Sequence, residues 1–175
     1  FRNWLISHNN GIVTFTVSST GTTAGNGSIT GNTIVNDGNW HHVLLVNDST
    51  TTNNYIYIDG IQDATASVGR SIVGSATTIS YIARYALTSN LRYLGDMSNF
   101  AFWNTVITPE QVTEIYNSGR PSNLNNFSGT KPTAWWQLGT NSSFDANTSR
   151  WTCIDEIGTN NISTATNDMT EDDIT

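Results

Sequence analysis

The sequence predicts an all-β fold: an antiparallel β-sandwich with one short helix near residues 109–117. The chain contains 22 Asn, 27 Thr and 18 Ser, which suit strands and turns and fit helices poorly. Short β-branched and aromatic runs recur about every ten residues between turn residues, a spacing typical of sandwiches and jelly rolls. Six Trp, six Tyr and six Phe are enough to fill a core.

The first strand signals surround a turn. Residues 4–7 and 12–17 are strand-like, and they flank the triplet 9–11, Asn-Asn-Gly, which predicts a hairpin. Residues 18–33 consist almost entirely of Gly, Ser, Thr and Asn and predict a loop. The run 42–46 has a continuous apolar centre, which indicates burial on both faces.

Further strand signals follow at 55–58, 77–83 and 97–103. The first of these meets Asp59-Gly60, a strong hairpin signal. The residues expected in the sandwich core are Trp40, Val43, Leu45, Ile56, Ile58, Phe100 and Phe102.

One helix is predicted, over residues 109–117. Thr108 is a good N-cap, Pro109 favours the first helical position, and Gln111 completes a capping box. Gly119 lies where a left-handed residue after the helix is expected. The stripe expected to pack on the rim of the sandwich is Val112, Ile115 and Tyr116.

Charge and cysteine content exclude several classes of protein. A net charge of −7 with only seven Lys plus Arg leaves no basic surface for nucleic acid. No apolar run approaches the length of a membrane span, so we expect no membrane insertion. Cys153 is alone, which excludes an internal disulfide and a thiolate-built zinc site.

Two segments carry a recognisable signature in a fixed order. Residues 37–43 are DGNWHHV and residues 55–60 are YIYIDG. Residues 94–116 continue with LG, FAFWN and the helix TPEQV…IY. These resemble the DGxWHHV … LYVDG signature and the closing pattern of laminin-G-like, concanavalin-A-like jelly-roll domains. The resemblance spans about residues 37–119 and implies that fold.

The same resemblance implies a domain organisation. Family members open with a strand of the type WxL, and nothing before residue 37 looks like it, whereas residues 135–139, WWQLG, do. We therefore predict a sandwich over 1–120 without its opening strands, a linker over 121–133, and a segment over 134–175 that resembles the start of such a domain and ends in a polar acidic tail. That segment either closes the same sandwich or begins the next. Its strand at 134–138 should be paired, within this chain or with a neighbouring copy.

The composition of the sequence, rich in Asn, Thr and Ser and low in charge, resembles that of laminin-G-like modules in structural proteins of marine bacteriophages. This implies a structural and adhesion module of a fibre or capsid decoration on the virion surface. Its partners would be other virion proteins, copies of itself, and host-surface glycans. The alternative is a secreted or cell-surface, hence extracellular, recognition domain that binds glycan or protein with calcium.

A third hypothesis, a relic of a hydrolase, has little support. A related branch of the superfamily cleaves β-glucans with carboxylates in an E-x-D-x-x-E arrangement, and this sequence contains no such set. We therefore expect no enzymatic activity.

Candidate binding residues follow from the same comparison. Carbohydrate sites need exposed rings and polar partners, and the candidates are Tyr81, Tyr85, Asn90, Arg92 and Tyr93. They can equally be ordinary amphipathic strand residues. The family's calcium-binding carboxylates fall on Ser98 and Asn99 here, so Asp96 is the one carboxylate that could replace them. His41 and His42 point to opposite faces of a strand, which favours a structural role.

Overall fold

The computed structural model describes residues 4–20, 26–69, 72, 81–83 and 93–164. Its elements in chain order are β1 (Trp4–Asn9), β2 (Ile12–Ser18), β3 (Asn26–Ile34), β4 (Val43–Asp48), β5 (Asn53–Ile58), β6 (Ile61–Ser67), β7 (Phe100–Phe102), α1 (Pro109–Tyr116), β8 (Ala134–Trp136), β9 (Ser142–Asp145), β10 (Arg150–Cys153) and β11 (Ile162–Ser163). Every strand pair is antiparallel. The predicted fold class, all-β with one short helix, is confirmed.

The chain forms two compact units. Unit 1 comprises Phe1–Ile82 and Val106–Ser122, and unit 2 comprises Ala83–Thr105 and Asn123–Thr175. The division of the chain into 1–120, 121–133 and 134–175 stays a prediction. The segment 121–133 contains a 3-10 turn, Leu124–Asn126, and buries Leu124 and Phe127.

Unit 1 contains two three-stranded sheets, with strand orders β1-β2-β3 and β4-β5-β6. Two-residue turns join β1 to β2 and β5 to β6. The turn residues Asn10 and Gly11 have φ of 50° and 82°, and Asp59 and Gly60 have φ of 52° and 80°. Positive φ at both positions matches the twist of the flanking strands, which is why both hairpin predictions hold.

The core of unit 1 lies between these sheets. Its buried members are Val13, Phe15, Val17 and Ile29 from one sheet, and Ile56 and Ile58 from the other. Leu44 and Val46 are buried and Leu45 is partly buried against this cluster, so β4 is buried on one face and only partly on the other. Two predicted core residues are wrong, because Trp40 lies in a loop and Val43 is the first residue of its strand; both are exposed.

The loop predicted over 18–33 is also wrong in part, because β3 occupies Asn26–Ile34. Its polar side chains make cross-strand hydrogen bonds that composition does not reveal. The hydroxyls of Thr16 and Ser28 lie 2.8 Å apart, and those of Thr14 and Thr30 lie 3.3 Å apart. Such Thr–Thr and Thr–Ser pairs stabilise antiparallel strands.

Helix α1 begins as predicted. The Thr108 hydroxyl accepts from the Gln111 backbone N–H, and the Gln111 side chain accepts from the Thr108 N–H, which completes the capping box. Val112 and Ile115 are buried. The left-handed residue that ends the helix is Asn117, with φ of 47°, so the helix stops one residue before the predicted end.

Unit 2 is built from short strands around aromatic rings. Its sheets have the orders β7-β8 and β11-β10-β9. Ala134, Trp136 and Cys153 form its buried cluster, against which Phe100 and Phe102 pack half-buried. The two phenylalanines are predicted in one sandwich core with Ile56 and Ile58, but they pack in this second cluster instead. The strand predicted at 134–138 is paired, and its partner is β7 of the same chain.

Asp155 organises the loop after β10. Its buried carboxylate accepts the backbone N–H groups of Trp135 at 3.0 Å, Ile157 at 3.1 Å and Asn160 at 3.1 Å. Burial by itself raises the pKa of Asp155, but the backbone donors outweigh it and lower the pKa to about 2. The carboxylate is therefore ionised and serves as the common acceptor for this loop.

Helix α1 is far too short to cross a bilayer, and no other helix in the described part of the chain has the length and apolar composition to do so.

Candidate functional site

The best candidate site lies on the loop 35–42, between β3 and β4 of unit 1. We call this segment the Trp40 loop. The Trp40 side chain is 68% exposed, whereas Trp135, Trp136 and Trp151 are each at most 8% exposed. The two other tryptophans of the chain are half-buried, so Trp40 is the one exposed indole among the six. An exposed indole offers a large apolar π face and an N–H donor, and tryptophan is enriched at binding surfaces, so Trp40 is a candidate contact residue.

A histidine between two carboxylates fixes this loop. His41 Nδ1 lies 2.7 Å from an Asp59 carboxylate oxygen, and His41 Nε2 lies 3.0 Å from an Asp37 carboxylate oxygen. Asp37 belongs to the loop itself, while Asp59 belongs to the turn between β5 and β6. We call these three residues the His41 clamp. The clamp ties the Trp40 loop to the neighbouring hairpin.

Backbone hydrogen bonds hold both sides of Trp40. On the N-terminal side, Asp37 accepts the backbone N–H of Asn39 at 2.9 Å, which makes a tight turn around Gly38 with its φ of 88°. On the C-terminal side, the backbone N–H of His42 donates to the Asp59 carboxylate at 2.8 Å. The Asp59 N–H donates back to the His42 carbonyl at 2.9 Å. Trp40 is therefore exposed but anchored at its flanks.

Hydrogen bonding sets the charge of the clamp. The backbone and side-chain N–H groups of Asn39, followed by His41, lower the pKa of Asp37 to about 2. Hydrogen bonds that the His41 ring donates to Asp59 and then to Asp37 raise the pKa of His41 above its usual 6.5. Both shifts favour a charged His41 imidazolium beside an ionised Asp37.

His42 is in a different environment from its neighbour. Its ring lies 5.9 Å from the Tyr116 ring of α1, and burial lowers its pKa. Its Nδ1 has no hydrogen-bond partner in the described part of the chain. A Cβ on Gly60 would come within 2.8 Å of the Tyr116 ring, so this turn needs its glycine. The Tyr116 ring of α1 therefore packs against both the His42 ring and Gly60 of the hairpin turn.

The predicted carbohydrate residues are only partly described. Tyr81 and Tyr93 are exposed, at 39% and 42%, while Tyr85, Asn90 and Arg92 lie outside the described residues. The Tyr93 hydroxyl donates to the Asp96 carbonyl at 3.4 Å. Whether the five residues form one site stays a prediction.

The calcium prediction at Asp96 also stays a prediction. Asp96 is exposed. Within the described residues, no group of three or more His, Cys, Asp or Glu side chains is arranged to hold a metal ion.

Sequence reasoning missed Trp40 as a site residue. It assigned the ring to the core because large aromatic residues next to strands are usually buried. A signal was nevertheless present, since the ring directly follows the turn residues Asp37-Gly38-Asn39, and a ring beside a tight turn lies outside the strand's alternation.

Comparisons with known proteins identify the family and the fold. The family model Laminin_G_3, of the concanavalin A-like lectin/glucanases superfamily, matches residues 2–113. No curated protein sequence gives a significant match. The fold is similar to a putative carbohydrate binding protein from Bacteroides ovatus, with a TM-score of 0.62, 15% identity, and coverage of 93% of this chain and 47% of that one.

An S-layer domain-containing protein from Clostridium thermocellum also matches, with a TM-score of 0.41 and 15% identity over 65% of this chain and 55% of that one. The chain thus spans about half the length of the solved structures that it matches.

Proposed function

The chain belongs to the Laminin_G_3 family of the concanavalin A-like superfamily, and from that premise we propose that it is a non-catalytic recognition domain that binds carbohydrate through Trp40. The observation that carries the proposal is the exposed Trp40 ring on a loop fixed by the His41 clamp. The similar Bacteroides ovatus structure is described as a putative carbohydrate binding protein, which supports this choice.

An anchored exposed indole suits sugar recognition. The apolar face of a sugar ring can stack on the π face of Trp40, and its hydroxyls can bond to neighbouring amide and carboxylate groups. Because hydrogen bonds already fix both flanks of Trp40, binding orders little additional chain. Such preorganisation lowers the entropic cost of association.

The charge around Trp40 indicates the class of sugar. The Asp37 side chain is 43% exposed, and neither the Trp40 loop nor the Asp59-Gly60 turn contains Lys or Arg. A net charge of −7 adds a general repulsion of anions. We therefore propose that the site takes neutral or amino sugars and disfavours uronic and sialic acids.

Absence of catalysis is part of the proposal. A glycoside hydrolase needs one carboxylic acid with a raised pKa opposite a second carboxylate. The pKa of Asp37 is lowered to about 2, so Asp37 is ionised and cannot serve as the acid. Asp59 accepts from both the His41 ring and the His42 backbone, which favours a structural role.

The biological setting is a further proposal. The Asn-, Thr- and Ser-rich, low-charge composition favours a bacteriophage fibre or capsid decoration that attaches to host-surface glycans. Its partners would be other virion proteins or further copies of itself. A secreted or cell-surface domain would use the same Trp40 site. Mass measurement of the native particle or assembly separates the two settings, because only a virion protein co-purifies with capsid or tail proteins.

A glycan array tests the proposed function. The probes are cello-, laminari-, malto- and chito-hexasaccharides, with polyuronates and sialylated glycans as the disfavoured class. We expect at least one neutral or amino sugar to bind, and Trp40→Ala to weaken that binding about tenfold or more. Trp40→Phe should retain most of it, because a ring remains.

The matched control is Leu94→Ala, which removes another exposed apolar side chain, 92% exposed, without removing an aromatic ring. Its binding should equal that of the wild type. If Trp40→Ala binds as tightly as Leu94→Ala, the proposed site is wrong.

A further inference from the structure

The geometry of the His41 clamp fixes a protonation state. Both ring nitrogens lie within hydrogen-bond distance of a carboxylate oxygen, at 2.7 Å from Asp59 and 3.0 Å from Asp37. A neutral imidazole carries a single N–H, so it can donate to only one of the two carboxylates. The other nitrogen would then present its lone pair to a negatively charged oxygen. Only the imidazolium satisfies both contacts.

Deprotonation of His41 therefore alters the support of Trp40. Asp37 makes the turn before Trp40 through Asn39, and Asp59 holds the backbone after Trp40 through His42. The imidazolium is the group that joins these two supports. Charge-assisted hydrogen bonds are stronger than neutral ones, and His41 has two of them with a side chain only 14% exposed.

The other groups near the clamp do not compensate for a lost proton. His42 is the neighbouring titratable group, and burial against Tyr116 of α1 disfavours its charged form. From the loop and the hairpin turn, the charged groups that face His41 are Asp37 and Asp59. After His41 deprotonates, no positive charge lies between the carboxyl groups of Asp37 and Asp59.

We propose that the His41 clamp is a pH-sensitive switch that holds Trp40 in place while His41 is protonated and releases the Trp40 loop when His41 deprotonates. The regulation of carbohydrate binding that this implies rests on the proposed function of Trp40. The site is complete while His41 is protonated and is weakened as the pH rises through the raised pKa of His41.

The pH range over which the clamp stabilises the loop is limited by the titration of His41 on one side and of Asp37 on the other. The pKa of His41 is raised above 6.5, so its stabilisation is complete below that pH and is lost as the pH rises through the folded value. The pKa of Asp37 is lowered from 3.8 to about 2, so its stabilisation is complete above 3.8 and is lost as the pH falls towards 2.

A ¹⁹F NMR titration of 5-fluorotryptophan-labelled protein tests the switch without any sugar. Trp40→Phe identifies the Trp40 resonance, and the His41 imidazole signals are followed in the same samples from about pH 5 to about pH 9. We expect the Trp40 resonance to shift or broaden with the midpoint of His41 itself. That midpoint should lie above the usual histidine value.

Three variants sharpen the test. His41→Gln should abolish the Trp40 transition, and Asp37→Asn, at an exposed position, should move its midpoint to lower pH. His8→Gln, which removes a histidine exposed on β1, should leave the transition unchanged. If His41→Gln does not fold, as judged by circular dichroism, Asp37→Asn decides the outcome.

The outcomes separate this inference from the proposed function. The switch is overturned, even if sugars bind, by a Trp40 resonance that does not change as His41 titrates. It is also overturned if the pKa of His41 is at or below the usual histidine value. A Trp40 transition that follows His41 in a protein that binds no hexasaccharide supports the switch and overturns the carbohydrate site. Where a hexasaccharide binds, its affinity should fall about tenfold across the transition.

Discussion

Unit 1 is built from strands of six to nine residues, whereas the described strands of unit 2 have two to four. The buried cluster of unit 1 is aliphatic apart from Phe15. In unit 2, aromatic rings surround the cluster, and the carboxylate of Asp155 accepts backbone N–H groups from β8 and from the loop after β10. Long strands bury side chains by alternation, while short strands need a polar centre to fix their ends.

The largest loss of stability is expected from a substitution in the aliphatic core of unit 1. Ile56 is fully buried on the central strand β5, so Ile56→Ala should lower the free energy of unfolding by about 3 to 4 kcal/mol. Urea unfolding measures the loss, and hydrogen exchange shows whether it is confined to unit 1. Ile61→Ala, at a side chain 73% exposed, is the control and should change stability by less than about 0.5 kcal/mol. Equal losses in both variants would contradict an alternating core.

The second-largest loss of stability is expected from a change to the buried carboxylate of Asp155, which we call the polar centre of unit 2. Asp155→Asn replaces an ionised acceptor by an amide, so it should lower the stability of unit 2 by about 2 to 3 kcal/mol. Hydrogen exchange of the amides in β8 and β10 measures this. Asp145→Asn, at the exposed end of β9, is the matched control and should have little effect.

Acid should reproduce the effect of Asp155→Asn in the wild type. The pKa of Asp155 falls from 3.8 to about 2 on folding, so its contribution is complete above 3.8 and disappears as the pH falls towards 2. The Asp155→Asn variant should lack this part of the acid sensitivity. Identical acid unfolding of variant and wild type would show that Asp155 is not the polar centre.

The smallest effect concerns a side-chain-to-backbone bond in unit 1. Thr108→Ala removes the hydroxyl of the capping box of α1 and should cost about 1 kcal/mol. The loss is less than that of Asp155→Asn because the cap is exposed and serves one N–H. Thr113→Ala, in the middle of the helix, should leave thermal stability unchanged or slightly raised. A cap effect as large as that of Asp155 would remove the distinction between the two units.

The sequence predicts local features well where one residue decides the geometry. Asn10-Gly11 and Asp59-Gly60 require positive φ, and Thr108 with Gln111 satisfies the helix terminus, so these turns and this cap could be predicted. Strand β3 could not, because its Thr and Ser residues form hydroxyl pairs that exist only once β2 lies beside them.

The candidate site was less predictable than the fold. The resemblance identified residues 37–43 as a signature, but not that Trp40 is exposed while His41 lies between two carboxylates. Asp37 and Asp59 are distant in sequence and meet only because the β5–β6 turn lies beside the Trp40 loop. Phe100 and Phe102 were placed in the wrong cluster for the same reason, since apolar alternation shows burial but not the partner.

Cys153 has a consequence for how copies of this protein can be joined. It is the single thiol of the chain, and it is buried on β10. While the fold is intact, Cys153 therefore cannot link two copies through a disulfide, even in an oxidising environment, because its sulfur must reach the surface first. The rate at which a thiol reagent modifies Cys153 reports how often unit 2 opens, in a protein that needs no engineered label.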